Sequence, residues 1–201
     1  EGDGDLCRVN INDTGYSFPV INGEVEGEVE IDNVHLWNGL EDPYLYPVSF
    51  SLEKNGEERD EIELKVGFRT IEIDSGKGFF LNGRSYPLRG VSRHQDRWGK
   101  GNAIDERDED EDMDIILDSG ANSMRLAHYQ HSQHFYDLCD EKGLLVWAEI
   151  PFITVFMENG KENTLSQMKE LVVQNIHQPS IFCWALSNEI TLQGVTDSLI
   201  E

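Results

Sequence analysis

Val48, Phe50 and Leu52 alternate with Ser49, Ser51 and Glu53, and Ile62, Leu64 and Val66 repeat the alternation after a short turn. A period of two marks a strand with one buried face. Between the two runs lies Lys54-Asn55-Gly56-Glu57, and Asn-Gly is the strongest short-range hairpin signal. Glu24 to Ile31 alternates as well, between Gly23 and Asp32-Asn33, and reads as a further strand. Trp37 and Pro43-Tyr44-Leu45-Tyr46-Pro47 supply large apolar side chains for a core. Residues 1–73 thus predict four or five short antiparallel strands. These form part of an immunoglobulin-like sandwich, with too few strands to complete one.

From residue 74 to 201 the pattern changes to alternating strand and helix. Phe79 to Tyr86 reads as a hairpin leading into a strand over Pro87–Val91. A helix is predicted over Asp105–Ser119, with Met113, Ile116 and Leu117 on one face and Gly120 as its stop. A strand over Asn122–Leu126 follows, then a helix over Gln133–Lys142, stopped by Gly143. A third strand spans Leu144–Ile150, Leu165–Gln174 is the centre of a third helix, and Ser180–Leu186 is the fourth strand. Repeated β-α units on short turns imply a parallel sheet. Four units are about half of an eight-fold TIM barrel, which needs roughly 250 residues. The predicted fold class is therefore multidomain: a partial immunoglobulin-like β-sandwich over 1–73, then the first four β-α units of a TIM (β/α)8 barrel over 74–201.

Charge and composition narrow the function. Acids number 39 and bases 16, for a net charge of −23 over 201 residues. This argues against a nucleic-acid partner, which needs basic surface, and favours a neutral substrate; it also serves solubility alone. No apolar run approaches the length of a membrane span. The run from Asp105 to Asp114 holds eight acids and reads as a solvated helix start whose carboxylates complement the dipole. Cys7, Cys139 and Cys183 are odd in number and widely spaced, so neither a disulfide framework nor a zinc pattern is expected. They favour a reducing compartment and a cytoplasmic location. The chain begins at Glu1 with no signal peptide after it, and the natural start is expected to be missing.

Ser187-Asn188-Glu189 ends the apolar run Ser180–Leu186 abruptly with an amide and a carboxylate. In an α/β barrel, catalytic side chains collect at the C-terminal ends of strands. The other predicted strand ends also carry polar groups. Arg93, His94, Gln95 and Asp96 follow the first strand, Arg125 and His128 the second, and Glu149 ends the third. In a parallel barrel these converge on one mouth. Each has a bland alternative: Arg125 as a structural ion-pair partner, His94 and His128 as packing histidines, Asp96 as a turn cap. Glu149 reads as a supporting residue. His131, His134 and His177 read as polar groups of helix or loop, and Tyr129 and Trp184 as core or wall.

The ordered motifs resemble glycoside hydrolase family 2, the family of β-galactosidases, β-glucuronidases and β-mannosidases. Phe80-Leu81-Asn82-Gly83-Arg84 and Leu88-Arg89-Gly90-Val91-Ser92-Arg93-His94 resemble the start of its barrel. Asn122 to Tyr129, with Asp140 and Gly143 to Trp147, resembles one signature, and Asn175 to Ile181 through Trp184 to Glu189 a second. His35-Leu36-Trp37 with Pro43 to Tyr46 is similar to the end of its middle sandwich domain. The resemblance implies a retaining exo-β-glycosidase of the bacterial β-galactosidase kind, acting in carbohydrate catabolism. Such an enzyme uses one carboxyl as acid/base and a second as nucleophile. Glu189 is implied as the acid/base, and Asn188 as the partner of the sugar 2-hydroxyl. Arg125 is implied to position the nucleophile, which no residue here matches. His94, Asp96 and His128 are implied to bind hydroxyls, with Glu149 supporting the site.

Two departures stand out. Gln130 follows His128-Tyr129 where the family motif has proline, and Ile153-Thr154-Val155 replaces the Glu-x-His pair of magnesium-dependent members. No active-site magnesium and no other cofactor are therefore expected. The expected partner is a β-galactoside or related oligosaccharide, with a homo-oligomeric parent left open. β-Glucuronidase and β-mannosidase are the rivals within the family. Outside it stands a non-catalytic carbohydrate-binding or assembly module. One carboxylate cannot perform a double displacement, so the 201 residues alone are expected to be inactive and poorly behaved.

Overall fold

The computed structural model describes residues 4–154 and 158–190. Its first sheet is antiparallel and built from β1 (Leu6–Ile11), β2 (Thr14–Pro19), β3 (Tyr46–Lys54) and β4 (Glu57–Val66), in the order β2-β1-β3-β4. The predicted Asn-Gly hairpin joins β3 to β4, with Asn55 at φ 54° and Gly56 at φ 78°. Both turn residues sit in the left-handed region that a two-residue hairpin loop demands. The alternation of β3 sends Tyr46, Val48 and Phe50 to one face, where they pack with Val9, Phe18, Val34 and Tyr44.

The strand expected over Glu24–Ile31 is not formed. Only an isolated bridge joins Ile21 to Glu24, and Val25 is exposed. Gly27 interrupts the alternation and brings the backbone so close to the Phe18 ring that a Cβ there would collide with it. The segment pairs with no strand edge and lies against the Phe18 ring at Gly27. β1 and β2, by contrast, pair along their whole length. Their signal is the weaker alternation of Val9 with Ile11 and Tyr16 with Phe18 around Asn12 and Asp13.

A small antiparallel sheet follows, made of β5 (Ile71–Asp74), β6 (Gly78–Leu81) and β7 (Arg84–Ser85). Then come four parallel strands, β8 (Gly90–Arg93), β9 (Ser123–Leu126), β10 (Leu145–Glu149) and β11 (Ile181–Ala185), in the order β11-β10-β9-β8. Three helices connect them: α1 (Glu106–Asp118), α2 (Gln133–Lys142) and α3 (Lys161–Asn175). Strictly sequential parallel order, with a helix in each crossover, is the first half of a TIM barrel. A helix after β11 would fall on residues 191–201, outside the described residues. Met124, Leu126, Val146 and Ala148 join Met113, Phe135, Cys139 and Leu171 in the core between sheet and helices. The period of two places Arg125, Trp147 and Glu149 on the opposite face.

The helix ends follow local chemistry. Asp105 caps α1, accepting from the N–H groups of Arg107 and Asp108, while the Asp108 carboxylate accepts from the N–H of Asp105. Ser132 caps α2, and Gly143 ends it at φ 80°. Gly143 also lies so close to the backbone of Gly39 that any side chain would collide. The acidic run is less solvated than expected, because Asp108 and Glu109 are buried. Asp108 pairs with Arg97 and Lys100, and Glu109 accepts the Ser132 hydroxyl. Burial of a carboxylate is tolerated only when its oxygens are paired in this way.

The segments that flank the strands of the first sheet are clamped to the N-terminal end of the barrel strands. Trp37 is fully buried with Phe79, Leu81 and Leu145, and its indole Nε1–H donates to the Asp140 carbonyl at 2.8 Å. Arg69 donates from Nε to Pro179 O at 2.9 Å and from Nη2 to Ile181 O at 2.6 Å. The Asp140 side chain accepts from the N–H of Ser180 at 3.0 Å. Burial pushes this carboxyl up to about 7, against the opposing pull of Ser180; the charges of Asp137 and Arg69 act more weakly, in opposite directions.

A carboxyl near 3.9 in the unfolded chain and near 7 in the fold binds its proton more tightly when folded. Its contribution to stability is full below about pH 4 and is lost as the pH rises through 7. Asp140→Asn keeps an oxygen for the Ser180 N–H and cannot ionise. Thermal melts of the two proteins are therefore expected to coincide near pH 4, with the variant melting higher at pH 8. A gap that stays constant with pH is the contrary outcome.

Candidate active site

Glu149, at the end of β10, is 1% exposed, and both of its oxygens are engaged. Oε1 accepts from Arg125 Nε at 2.5 Å, and Oε2 accepts from His128 Nδ1 at 2.7 Å. Arg125, on β9, reaches further with Nη2, which donates to Asn188 Oδ1 at 2.7 Å. Nη2 also lies 3.2 Å from His128 Nδ1. Guanidinium nitrogens only donate, and that ring nitrogen already gives its hydrogen to Glu149, so this approach is a contact and not a bond. The planar fork thus links the ends of three neighbouring strands, a task a lysine cannot perform.

These bonds decide which atoms remain for a ligand. With Oδ1 held by Arg125, Asn188 has its Nδ2 hydrogens to offer. With Nδ1–H donated to Glu149, His128 has Nε2 to offer. The backbone of Asn188 is fixed too: its N–H donates to Phe152 O and its carbonyl accepts from the N–H of Thr154, both at 2.9 Å. The residues beside this pairing are held in unusual backbone conformations. Thr154 has φ 61° and Glu189 φ 57°. The left-handed region disfavours side chains, most of all β-branched ones, and such residues gather at functional sites.

Glu189 is exposed, next to Asn188 at the mouth. His94 is exposed on the loop after β8, with its ring 5.2 Å from that of His128 in an edge-to-face arrangement. A cis peptide joins Ala127 to His128. Arg125, His128, Glu149 and Asn188 are thus one hydrogen-bonded unit, and His94 abuts it. Asp96 lies on the His94 loop and is exposed, and no hydrogen bond joins it to that unit among the described residues.

Arg93 does not reach the mouth. It is buried on the helix side of β8, where Nε and Nη2 donate to Asp112 at 3.0 and 2.8 Å, Nη1 lies 3.0 Å from His131 Nδ1, and the guanidinium stacks 3.9 Å above the Phe135 ring. The reason is the strand period: Arg93 shares a face with Val91, and Ser92 takes the other. His131 is 4% exposed, less bland than its sequence context suggested. Burial, together with the positive charge of Arg93, holds it down to about 4, so it is neutral at pH 7. Its Nδ1 accepts from Arg93 and its Nε2–H faces the Ala127 carbonyl at 3.3 Å. His134 pairs with Asp110 on the surface. A cleft of about 750 Å³ lies elsewhere, between the first sheet and α2 and α3, lined by Asn10, Ser49, Lys65, Asp137, Glu141 and His177. It is a domain seam bridged by the Lys65–Glu141 ion pair, and it holds none of the mouth residues.

Sheet, half barrel and mouth together define a class: a β-sandwich domain joined to a barrel whose strand ends gather carboxylate, amide and imidazole. The comparisons with known proteins narrow it. Residues 71–201 match the family description "Glycosyl hydrolases family 2, TIM barrel domain", and residues 5–69 match "Glycosyl hydrolases family 2". The chain belongs to glycoside hydrolase family 2. It is 42% identical over 184 residues to a β-glucuronidase of Bacteroides fragilis, an alignment covering 85% of this chain and 26% of that protein. It is 37% identical over 166 residues to a β-galactosidase of Thermoanaerobacter pseudethanolicus, covering 81% and 22%. Among solved structures it superposes on an FMN-binding β-glucuronidase from Faecalibacterium prausnitzii with TM-score 0.88 and 41% identity, covering 97% of this chain and 31% of that one. The chain spans about a quarter of the length of the relatives it matches.

Glu149→Leu removes both oxygens and leaves the Nε–H of Arg125 and the Nδ1 of His128 without the acceptor they share. A buried donor left unpaired costs about 1–3 kcal/mol. Urea unfolding of the variant is expected to show a loss of that size; an unchanged midpoint would mean that the Glu149 bonds contribute nothing to stability.

Proposed function

We propose that this chain supplies the acid/base half of a retaining exo-β-glycosidase, with Glu189 as the proton donor. The observation that carries the reading is the Arg125–Asn188 bond at 2.7 Å beside Glu189. It leaves the amide NH₂ of Asn188 to donate to a sugar 2-hydroxyl, a contact that strengthens in an oxocarbenium-like transition state. Glu189 is exposed at the mouth, within sequence reach of both the solvent and the sugar held by Asn188. In the first step it protonates the glycosidic oxygen as the bond to the anomeric carbon breaks. In the second it takes a proton from the attacking water. The nucleophile is assigned to a second carboxylate of the full-length protein, placed about 5–5.5 Å from the first as retention requires. Arg125 is assigned to its neighbourhood, where a guanidinium favours the ionised form. The isolated chain is accordingly expected to hydrolyse nothing.

For the sugar, we favour a terminal β-D-galactoside. Among the described residues, the arginine at the mouth, Arg125, is already committed to Glu149 and Asn188, and His94, Asp96 and His128 suit neutral hydroxyls. A second reading, a β-glucuronide, is supported by the 42% identity to a protein named β-glucuronidase. A cation to read the sugar carboxylate would then come from elsewhere in the full-length protein.

In the full-length protein, Glu189→Gln is expected to lower kcat/KM for an alkyl β-glycoside by about 10²–10⁴. The loss should be much smaller for a dinitrophenyl glycoside, which departs without protonation. Equal losses on both substrates would remove Glu189 from the acid role. Rates on aryl β-galactoside, β-glucuronide and β-mannoside, measured side by side, are expected to be highest for the galactoside; a clear preference for the glucuronide selects the second reading.

A further inference from the structure

Tyr129 packs beside the His94 ring and bonds to the loop that carries it. Its hydroxyl oxygen accepts from the backbone N–H of Gln95 at 2.9 Å, and it lies 3.5 Å from His94 Nδ1. The Gln95 side chain completes a latch, since its Oε1 accepts from the N–H of Ser132 at 2.7 Å. Ser132 is anchored by donating its hydroxyl to the buried Glu109. From below, the Tyr129 ring stacks on His131 at 5.0 Å and 27°, and His131 is held by Arg93, itself bonded to Asp112. The loop after β8 is thus fastened to the loop after β9 at two points, both within one residue of His94.

The same bonds bear on protons. With the Tyr129 oxygen accepting from Gln95, its own hydrogen is free to donate, and the ring nitrogen it faces is His94 Nδ1. A neutral imidazole that accepts at Nδ1 carries its hydrogen on Nε2. His128 is held the other way round, because its Nδ1–H is given to Glu149. In the neutral ring its Nε2 is then an acceptor.

We propose that Tyr129 is a positioning residue that fixes the place and the tautomer of His94, so that the His94–His128 pair reads neighbouring sugar hydroxyls with one donor and one acceptor. A pair of this kind suits a neutral polyol edge, in which each hydroxyl both donates and accepts. The inference rests on the glycosidase reading above for its substrate, and on the hydrogen bonds alone for its tautomers.

The test uses the full-length protein with ¹⁵N-labelled histidine, with the His94 signals assigned by their absence from His94→Gln. The wild type is expected to show His94 as the Nε2–H tautomer and His128 as the Nδ1–H tautomer, and Tyr129→Phe to shift His94 alone toward a mixture. In kinetics, Tyr129→Phe is expected to lower kcat/KM about tenfold, through KM more than kcat, with the melting temperature nearly unchanged. In a His94→Ala background the same substitution should have little further effect. A His94 tautomer that Tyr129→Phe leaves untouched, or full additivity of the two substitutions, overturns the proposal. A protein without glycosidase activity in which the tautomer shift still occurs would sink the substrate reading and leave the role of Tyr129 standing.

Discussion

A buried carboxylate cannot stay ionised without partners, and Glu149 is the point where this constraint organises the barrel mouth. Its position at the end of β10 puts it beyond the reach of water, so both oxygens must be paired within the protein. Arg125 meets one oxygen and His128 the other. Because the guanidinium fork has donors to spare, the same arginine reaches Asn188 on the far side. One desolvated charge therefore aligns side chains from three adjacent strands and dictates which of their polar atoms remain for a ligand. Burial of one partner and partial exposure of the others fits a site that must be rigid at its base and open at its rim.

The segments flanking the sandwich strands steady the other end of the same barrel strands. Trp37 and Arg69 bond to backbone carbonyls of α2 and of the segment leading into β11, at the N-terminal side of the barrel. Those carbonyls would otherwise be buried acceptors without partners. The three-stranded sheet adds Phe79 and Leu81, which pack on Leu145 at the start of β10. Chemistry at one end of the strands and stability at the other is the division of labour expected of this architecture.

What could be read from the sequence was mostly local. The Asn55-Gly56 turn, the caps at Asp105 and Ser132 and the glycine stop at Gly143 work within a few residues, so their chemistry is written in neighbouring letters. The parallel strands were legible because burial on both faces leaves short apolar runs. The segment Glu24–Ile31 misled because alternation is necessary for a strand but does not supply a partner edge, and Gly27 turns the backbone onto Phe18 instead. Arg93 misled in another way: it stands beside His94 in sequence, yet the strand period sends it to the helices. The acidic run looked like a solvated face because Lys100, Arg97 and Ser132, which hold Asp108 and Glu109, lie in other segments.

By itself, the sequence determined the kind of elements, their order and the residue types at each strand end, because these depend on periodicity and on chemistry within a turn. Only the tertiary structure decided which of those residues share a hydrogen-bonded unit. Glu149 and Arg125 are 24 positions apart, Arg125 and Asn188 are 63 apart, and Tyr129 and Gln95 are 34 apart. The orientation of an amide or an imidazole is set by the partner that occupies its other side, and that partner arrives through the fold.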